Sequence, residues 1–257
     1  PGAHYDETTW PVQHKELGNE AWVMTGTDTP EAVFLLGRSR GKGNIQDLQA
    51  SGKDPPAQQV AITDDYGAYQ KPFKQHQLCW AHPHRKLRDL KDSGKLEPAK
   101  KQHCQDVYEQ FSSLYAEVRE AIQMPFKLKA RQQLKIKLEA SFDEVTQSHE
   151  LDSAKLKQIK KRLSARKARY FTCLTEKGIP CDNNKAERSL RHLVLKRKNC
   201  YGSRTQRMAD LNSVLYSVLL SLWWKSKETF FQDYAALVGQ DRYRGSSEGL
   251  QINTPLY

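Results

Sequence analysis

The sequence contains no cysteine pair of the C-x-x-C kind. Its five Cys (79, 104, 173, 181 and 200) are odd in number and scattered. A disulfide framework is therefore excluded as the source of stability, and a reducing compartment is expected. No basic-then-apolar segment opens the chain, so no secretory signal is read in it. Long apolar runs are also missing. The longest stretch, Met208–Trp224, is broken by Asp210, Asn212 and three Ser, which makes it a poor membrane span and a good buried helix. There is no internal repeat and no low-complexity segment.

The 257 residues suit one large domain, or one domain carrying a sizeable insertion. The 5 Trp, 11 Tyr and 8 Phe argue against disorder. What is abundant is positive charge, 41 Lys+Arg against 30 Asp+Glu, and it is unevenly placed. Residues 1–84 hold 7 basic and 10 acidic side chains; residues 85–170 hold 21 and 12; residues 182–207 hold 8 and 2. The surplus lies in two middle blocks, as expected of a chain that collects polyphosphate, although a solvated Lys-rich helix surface has the same composition.

The first third reads as strands. His4–Val12, Ala21–Gly26 and Ala32–Gly37 are rich in β-branched and aromatic residues, are separated by turn residues, and predict an antiparallel meander. Asn44–Ala50 predicts a short helix, Val60–Asp64 a fourth strand and Gln77–Trp80 a further short one. The period then becomes helical through Val107, Phe111, Leu114 and Val118, through Leu134, Leu138 and Phe142, and through Leu156, Ile159 and Leu163. Asp182 or Asn183 predicts the N-cap of a helix reaching about Leu195. A last helix spans about Met208–Trp224, with Leu211, Val214, Leu215, Val218 and Leu222 as its apolar stripe and Ser213, Ser217 and Ser221 as a row beside it. The adjacent Trp223 and Trp224 read as packing residues. The stretch after Gly239 has little periodicity and is expected to pack loosely.

Three acids stand where chemistry is done. Asp6 sits in the first strand beside Glu7, on opposite faces by alternation. Asp64, followed by Asp65, ends the fourth strand, although either would also serve as a helix cap. Glu187 lies a turn into the Asp182 helix, near Asn183, Asn184, Arg188 and Arg191, where the helix dipole alone would favour an acid. Carboxylates that hold two hard divalent cations can catalyse phosphodiester chemistry, and Mg²⁺ suits such an oxygen-rich site. A meander followed by alternating helix and strand, with acids on the first and fourth strands, is the order of a ribonuclease H-like sheet.

Several segments resemble one family in its own order. They are Asp6-Glu7-Thr8, Thr63–Tyr69 (TDDYGAY), Cys79–Leu87 (CWAHPHRKL), Ile179–Leu193 (IPCDNNKAERSLRHL) and Arg197–Gly202 (RKNCYG). Together they resemble the catalytic region of bacterial insertion-sequence-sixty-six-type transposases. The resemblance implies a DDE-type transposase catalytic domain of mixed α/β (α+β) class, a ribonuclease H-like core with an all-helical insertion. The parts would be a first piece of core over 1–84, the insertion over 85–175, a helical completion over 176–240 and a tail over 241–257. Asp6, Asp64 and Glu187 would be the catalytic and metal-binding triad, using Mg²⁺ with Mn²⁺ as a substitute. Lys185, Arg188, Arg191, Lys196, Arg197 and Lys198 would contact DNA phosphates. Cys79, His82, Asn183 and Asn184 would support the active site.

Cys79 and His82 form a C-x-x-H whose spacing suits half a zinc site, with His84 as a further ligand. No second Cys pair is nearby, so zinc is not expected. The implied partners are DNA, as element ends and target, and further copies of the chain on paired ends. No membrane is involved, and the expected place is the bacterial cytoplasm, at the nucleoid. The family's DNA-binding and zinc-containing segments ahead of this region are not in this sequence, so recognition of element ends is not expected of it alone. The same acids would serve a ribonuclease H-like nuclease or resolvase without strand transfer. If the acids were structural, the basic blocks would instead serve a non-catalytic DNA-binding or assembly protein.

Overall fold

The computed structural model describes residues 2–14, 17–49 and 55–244, with side chains placed through residue 239. These residues form a mixed five-stranded sheet, a two-stranded ribbon and ten α-helices. The predicted first strand splits in two. β1 (Gly2–Thr9) stays in the main sheet, while β2 (Val12–His14) leaves it. The break falls at Trp10-Pro11, where proline has no N–H to give to a ladder. β3 (Glu20–Gly26) and β4 (Ala32–Arg38) continue the meander antiparallel to β1 and to each other. After α1 (Gly43–Leu48), β5 (Val60–Thr63) and β6 (Gln75–Leu78) run parallel to β1 on its other side. The order is β4-β3-β1-β5-β6.

Trp80, at the end of the sheet, starts the helical part. It is fully buried, and its indole N–H donates to Tyr170 O at 2.7 Å. Around it pack rings from three helices and the turn that follows them. Phe111 and Tyr115 come from α3 (Pro98–Gln123), Phe142 from α4 (Leu128–Thr146), and Tyr170 from α6 (Lys167–Tyr170), with Phe171 next to it. α2 (Ala81–Lys91), α5 (Ala154–Ala165) and α7 (Thr172–Thr175) complete this layer. Burying such rings is the largest apolar contribution available to the block.

α8 (Asn184–Cys200) crosses the sheet, and β7 (Ser203–Thr205) then pairs in parallel with β2. Gly202 makes that ribbon possible. Its φ is +112°, and a Cβ there would sit 2.0 Å from Pro11 O, so no other residue fits. The chain closes with α9 (Gln206–Lys225) and α10 (Phe230–Arg244). α10 runs through Gly239 to Arg244, further than the lack of periodicity suggested; residues 245–257 of the expected tail lie outside the described residues. No helix among the described residues is long and apolar enough to cross a membrane.

α9 packs with the opposite face from the one its hydropathy predicts. Leu211, Val214 and Leu215 are 49%, 62% and 49% exposed. The serine row faces the sheet instead. Ser213, Ser217 and Ser221 accept from the backbone N–H groups of Leu36, Phe34 and Ala32 at 2.9, 2.9 and 3.0 Å. The reason is that β4 is an edge strand whose outward N–H groups need partners. Alternate residues of a strand are about 6.8 Å apart, and residues four apart in a helix are about 6 Å apart. A serine at every fourth position therefore meets every second strand amide. Arg38 on β4 also pairs with Asp210 on α9 at 3.0 Å. Replacing Ser213 by Ala strands the Leu36 amide, and stability should fall by about 1–3 kcal/mol, read as a lower urea midpoint with an unchanged m-value.

A second polar device fixes the helical layer. Asp152, buried between α4 and α5, accepts from Lys160 Nζ at 2.7 Å, His103 Nε2 at 2.9 Å and the His149 amide at 2.9 Å. Burial by itself would raise its pKa, but Lys160, the His149 amide and His103 together hold it below the usual carboxylate value. A carboxyl depressed in the folded state stabilises fully above its unfolded pKa of about 3.9 and loses that contribution as pH falls through the folded value. Asp152→Ala leaves the Lys160 ammonium buried and unpaired. The variant should lose about 3–5 kcal/mol at neutral pH, read by thermal or urea denaturation, and much of the gap to the parent should close in acid.

Candidate active site

Strand register brings the first two acids together. Gly2, Ala3 and His4 of β1 lie opposite Val60, Ala61 and Ile62 of β5 in a parallel ladder. Two residues further along the same register are Asp6 and Asp64. Asp6 shares a face of β1 with His4, and that face meets α8. Its carboxyl is pushed well above the ordinary range, first by burial, then by the charge of Glu7, with Asp64 and Glu187 adding to it. One backbone donor, the Glu7 amide at 2.9 Å, works the other way. Asp64 leaves the strand end and accepts from the Tyr66 amide at 2.9 Å.

The neighbouring acids are used differently. Asp65 is spent on α5 and the turn beyond it: Arg162 and Arg166 pair with it at 2.9 and 2.7 Å, and Gln70 donates to it at 3.0 Å. Glu7 receives the hydroxyl of Tyr69. Burial and the nearby Asp64 raise the Glu7 carboxyl to about 7 despite that bond. Of the two adjacent acids at the end of β5, Asp64 is the one without a salt bridge among the described residues.

Asn183 sets the position of α8. Its side chain is fully buried and makes no cap of its own helix. Instead Asn183 Oδ1 accepts from His4 Nδ1 at 3.0 Å, Nδ2 donates to Tyr5 O at 2.8 Å, and the backbone N–H donates to Cys79 Sγ at 3.2 Å. Burial lowers the His4 pKa to about 4, so the ring is neutral and donates through Nδ1. The Asn184 amide is taken by Asp182 at 3.1 Å. Asp182 therefore caps locally, while Asn183 joins β1, the start of α2 and α8.

One turn later, Glu187 faces α2. Arg85 grips both its oxygens, at 3.0 and 2.8 Å, and His82 Nε2 lies 3.8 Å away. His82 and Arg85 are three residues apart, hence on one helix face. The Arg85 guanidinium, with smaller help from His82 and Arg188, holds the Glu187 carboxyl below its usual value. Nothing in the sequence singled out Arg85; its spacing from His82 was the available signal. Among the described residues, the metal-capable group converging within 4.8 Å is Cys79, His82 and Glu187. The three predicted carboxylates share one charged region, but Glu187 is drawn toward α2. A cleft of about 490 Å³ opens from Asp64, Cys79 and His82 toward Ile159 and Arg162 on α5.

The predicted phosphate contacts separate into two sets. Lys185 directs its ammonium at three carbonyls, Gly26 O, Thr27 O and Thr29 O, at 2.6, 3.2 and 2.7 Å. Arg197 is bound to Thr8 and Thr9 at the end of β1. Both staple α8 to the sheet. Arg188, Arg191, Lys196 and Lys198 are exposed along α8. His84, the suggested further zinc ligand, turns away to Ser112 at 2.9 Å.

The architecture and the site define a mixed α/β protein with carboxylates gathered where β1, β5 and α8 meet, and with exposed cations along α8. The profile described as Transposase IS66 family matches residues 1–211, and the chain belongs to that family. It is therefore a transposase, a DNA-processing and DNA-binding enzyme. No curated protein and no solved structure matches it.

Asn183→Ala removes two buried side-chain bonds at once and leaves the Tyr5 carbonyl unpaired. The expected loss is about 2–4 kcal/mol of stability, measured by urea denaturation.

Proposed function

We propose that this chain is the catalytic region of a DDE transposase that cleaves DNA strands and joins them to a target, with Asp6, Asp64 and Glu187 holding Mg²⁺. The observation that carries this reading is the electrostatic load on Asp6. The half-buried Asp6 carboxyl is pressed by Glu7 beside it, and then by Asp64 from a neighbouring strand and Glu187 from a helix 181 residues away in sequence. Like charges gathered in a buried place are costly unless a cation relieves them. All-oxygen donors fit a hard divalent ion. Held by Asp6, Asp64 and Glu187, such ions would supply activation of the attacking oxygen and stabilisation of the leaving oxygen of a phosphodiester.

The chain's own residues do the rest. Asn183 fixes α8 against β1 and so sets where Glu187 stands. Arg85 keeps the Glu187 carboxylate ionised and oriented. Arg188, Arg191, Lys196 and Lys198 hold phosphates beside the cleft, a contact that weakens with salt. Lys185 and Arg197 serve that surface indirectly, by fastening α8. The sheet order, an antiparallel meander followed by two parallel strands, supports the ribonuclease H-like assignment. The helices between β6 and α8 are then the insertion, and two copies acting on paired ends belong to the same reading.

Asp64→Asn is the direct test. Mg²⁺-dependent nicking, and joining of a pre-cut 3′-hydroxyl end, should fall by about 10²–10³-fold or more, with the thermal midpoint held or raised because repulsion is relieved. Activity retained in this variant would falsify the assignment.

A further inference from the structure

We propose that Cys79, His82 and Glu187 form a second metal site, for a thiolate-accepting divalent ion of the Zn²⁺ type, and that filling it withdraws Glu187 from the reaction site. The ligand atoms of these three residues lie within 4.8 Å of one another. Sulfur, imidazole nitrogen and carboxylate oxygen are zinc's donor set. Mg²⁺ is bound through oxygen, so the two sites differ in the ion they select. The sequence offered Cys79 and His82 as half a site and His84 as the next ligand. Folding replaces His84 with Glu187, which sequence spacing does not reach.

Three further features belong to such a site. Outer donors are in place: the Asn183 amide points at Cys79 Sγ, and Arg85 donates to both Glu187 oxygens. Ligands held in this way are oriented for metal. His82 Nδ1 is buried with no hydrogen-bond partner, a polar vacancy of the kind that calls for an explanation. Access is open, because Cys79 and His82 line the 490 Å³ cleft beside Asp64. Three protein ligands leave a fourth position for water, reached from that cleft. A thiol ligand gives up its proton to solvent as the metal–sulfur bond forms, so affinity should rise with pH.

The site itself rests on geometry alone; the inhibition rests also on Glu187 serving the Mg²⁺ reaction. The experiment uses the full chain with the exposed Cys200 changed to Ser, titrated with Co²⁺ as a spectroscopic probe. The expected result is a near-ultraviolet thiolate-to-cobalt band that saturates at one equivalent and is displaced by Zn²⁺. It should be lost in Cys79→Ser and weakened at least about tenfold in His82→Gln and Glu187→Gln. His82 is partly exposed, so its variant keeps the test decisive if the buried Cys79→Ser does not fold. Absence of the band, or a band that survives Cys79→Ser or is unmoved in His82→Gln, overturns the site. In Mg²⁺-supported nicking, Zn²⁺ should inhibit the parent over the range in which it displaces Co²⁺, and in His82→Gln, measured against that variant's own zinc-free rate, inhibition should need more Zn²⁺ by the factor lost in cobalt affinity. A cobalt band without zinc inhibition overturns the withdrawal of Glu187. If the parent shows no nicking at all, the transposase-site reading fails, and the cobalt titration still decides the metal site.

Discussion

The organising constraint is the repulsion between carboxylates brought side by side. A parallel ladder between β1 and β5 puts Asp6 and Asp64 at neighbouring positions, and α8 carries Glu187 into the same charged region. Burial and the neighbouring carboxylates together disfavour the ionised form of Asp6. Such an arrangement persists only if the surrounding structure over-determines it. Much of the rest can be understood as that determination. Arg85 neutralises Glu187, Arg162 and Arg166 neutralise Asp65, and Tyr69 donates to Glu7. Asp6 and Asp64 receive single backbone amides and no salt bridge among the described residues. The two acids left least compensated are two of the three proposed to hold Mg²⁺.

Two buried hubs hold the cleft in shape. Trp80 gathers the rings of the helical layer and ties its start to the sheet end. Asn183, three residues after the Ile179–Pro180 return toward the sheet, binds β1 through both ends of its side-chain amide, Cys79 through its backbone N–H and its own helix through its carbonyl. Between the hubs run Cys79, His82 and Arg85, so the first turns of α2 become a wall of the site. The helical layer also contributes directly, since Ile159 and Arg162 of α5 face Asp64 across the cleft.

At the other edge of the sheet, hydrogen bonding overrules hydropathy. β4 ends the sheet, and its free amides are met by Ser213, Ser217 and Ser221. An unpaired buried amide costs about 1–3 kcal/mol, and the face of α9 that carries the serines also packs Ala209, Tyr216, Leu220 and Trp224 against the core, so hydrogen bonding and apolar burial are met by the same side of the helix. The stripe read as core, with Leu211, Val214 and Leu215, consequently faces out.

Sequence by itself determined the local elements and the family. Strand runs and helical periods are local patterns, set by backbone sterics and side-chain alternation. The ordered motifs around Asp6, Asp64 and Glu187 carried the family resemblance, which also implied supporting roles for Cys79, His82 and Asn183. They failed where a residue's role depends on a distant partner. Pro11 diverts β2 to a ribbon with β7, whose pairing residues lie about 190 positions on. Lys185 and Arg197 bind backbone and side-chain oxygens of the sheet instead of standing free. Arg85 is one more cation in a basic helix until α8 sets Glu187 against it. Only the tertiary structure decided these, because charge compensation and hydrogen-bond satisfaction are properties of neighbours in space, and periodicity along the chain carries no record of them.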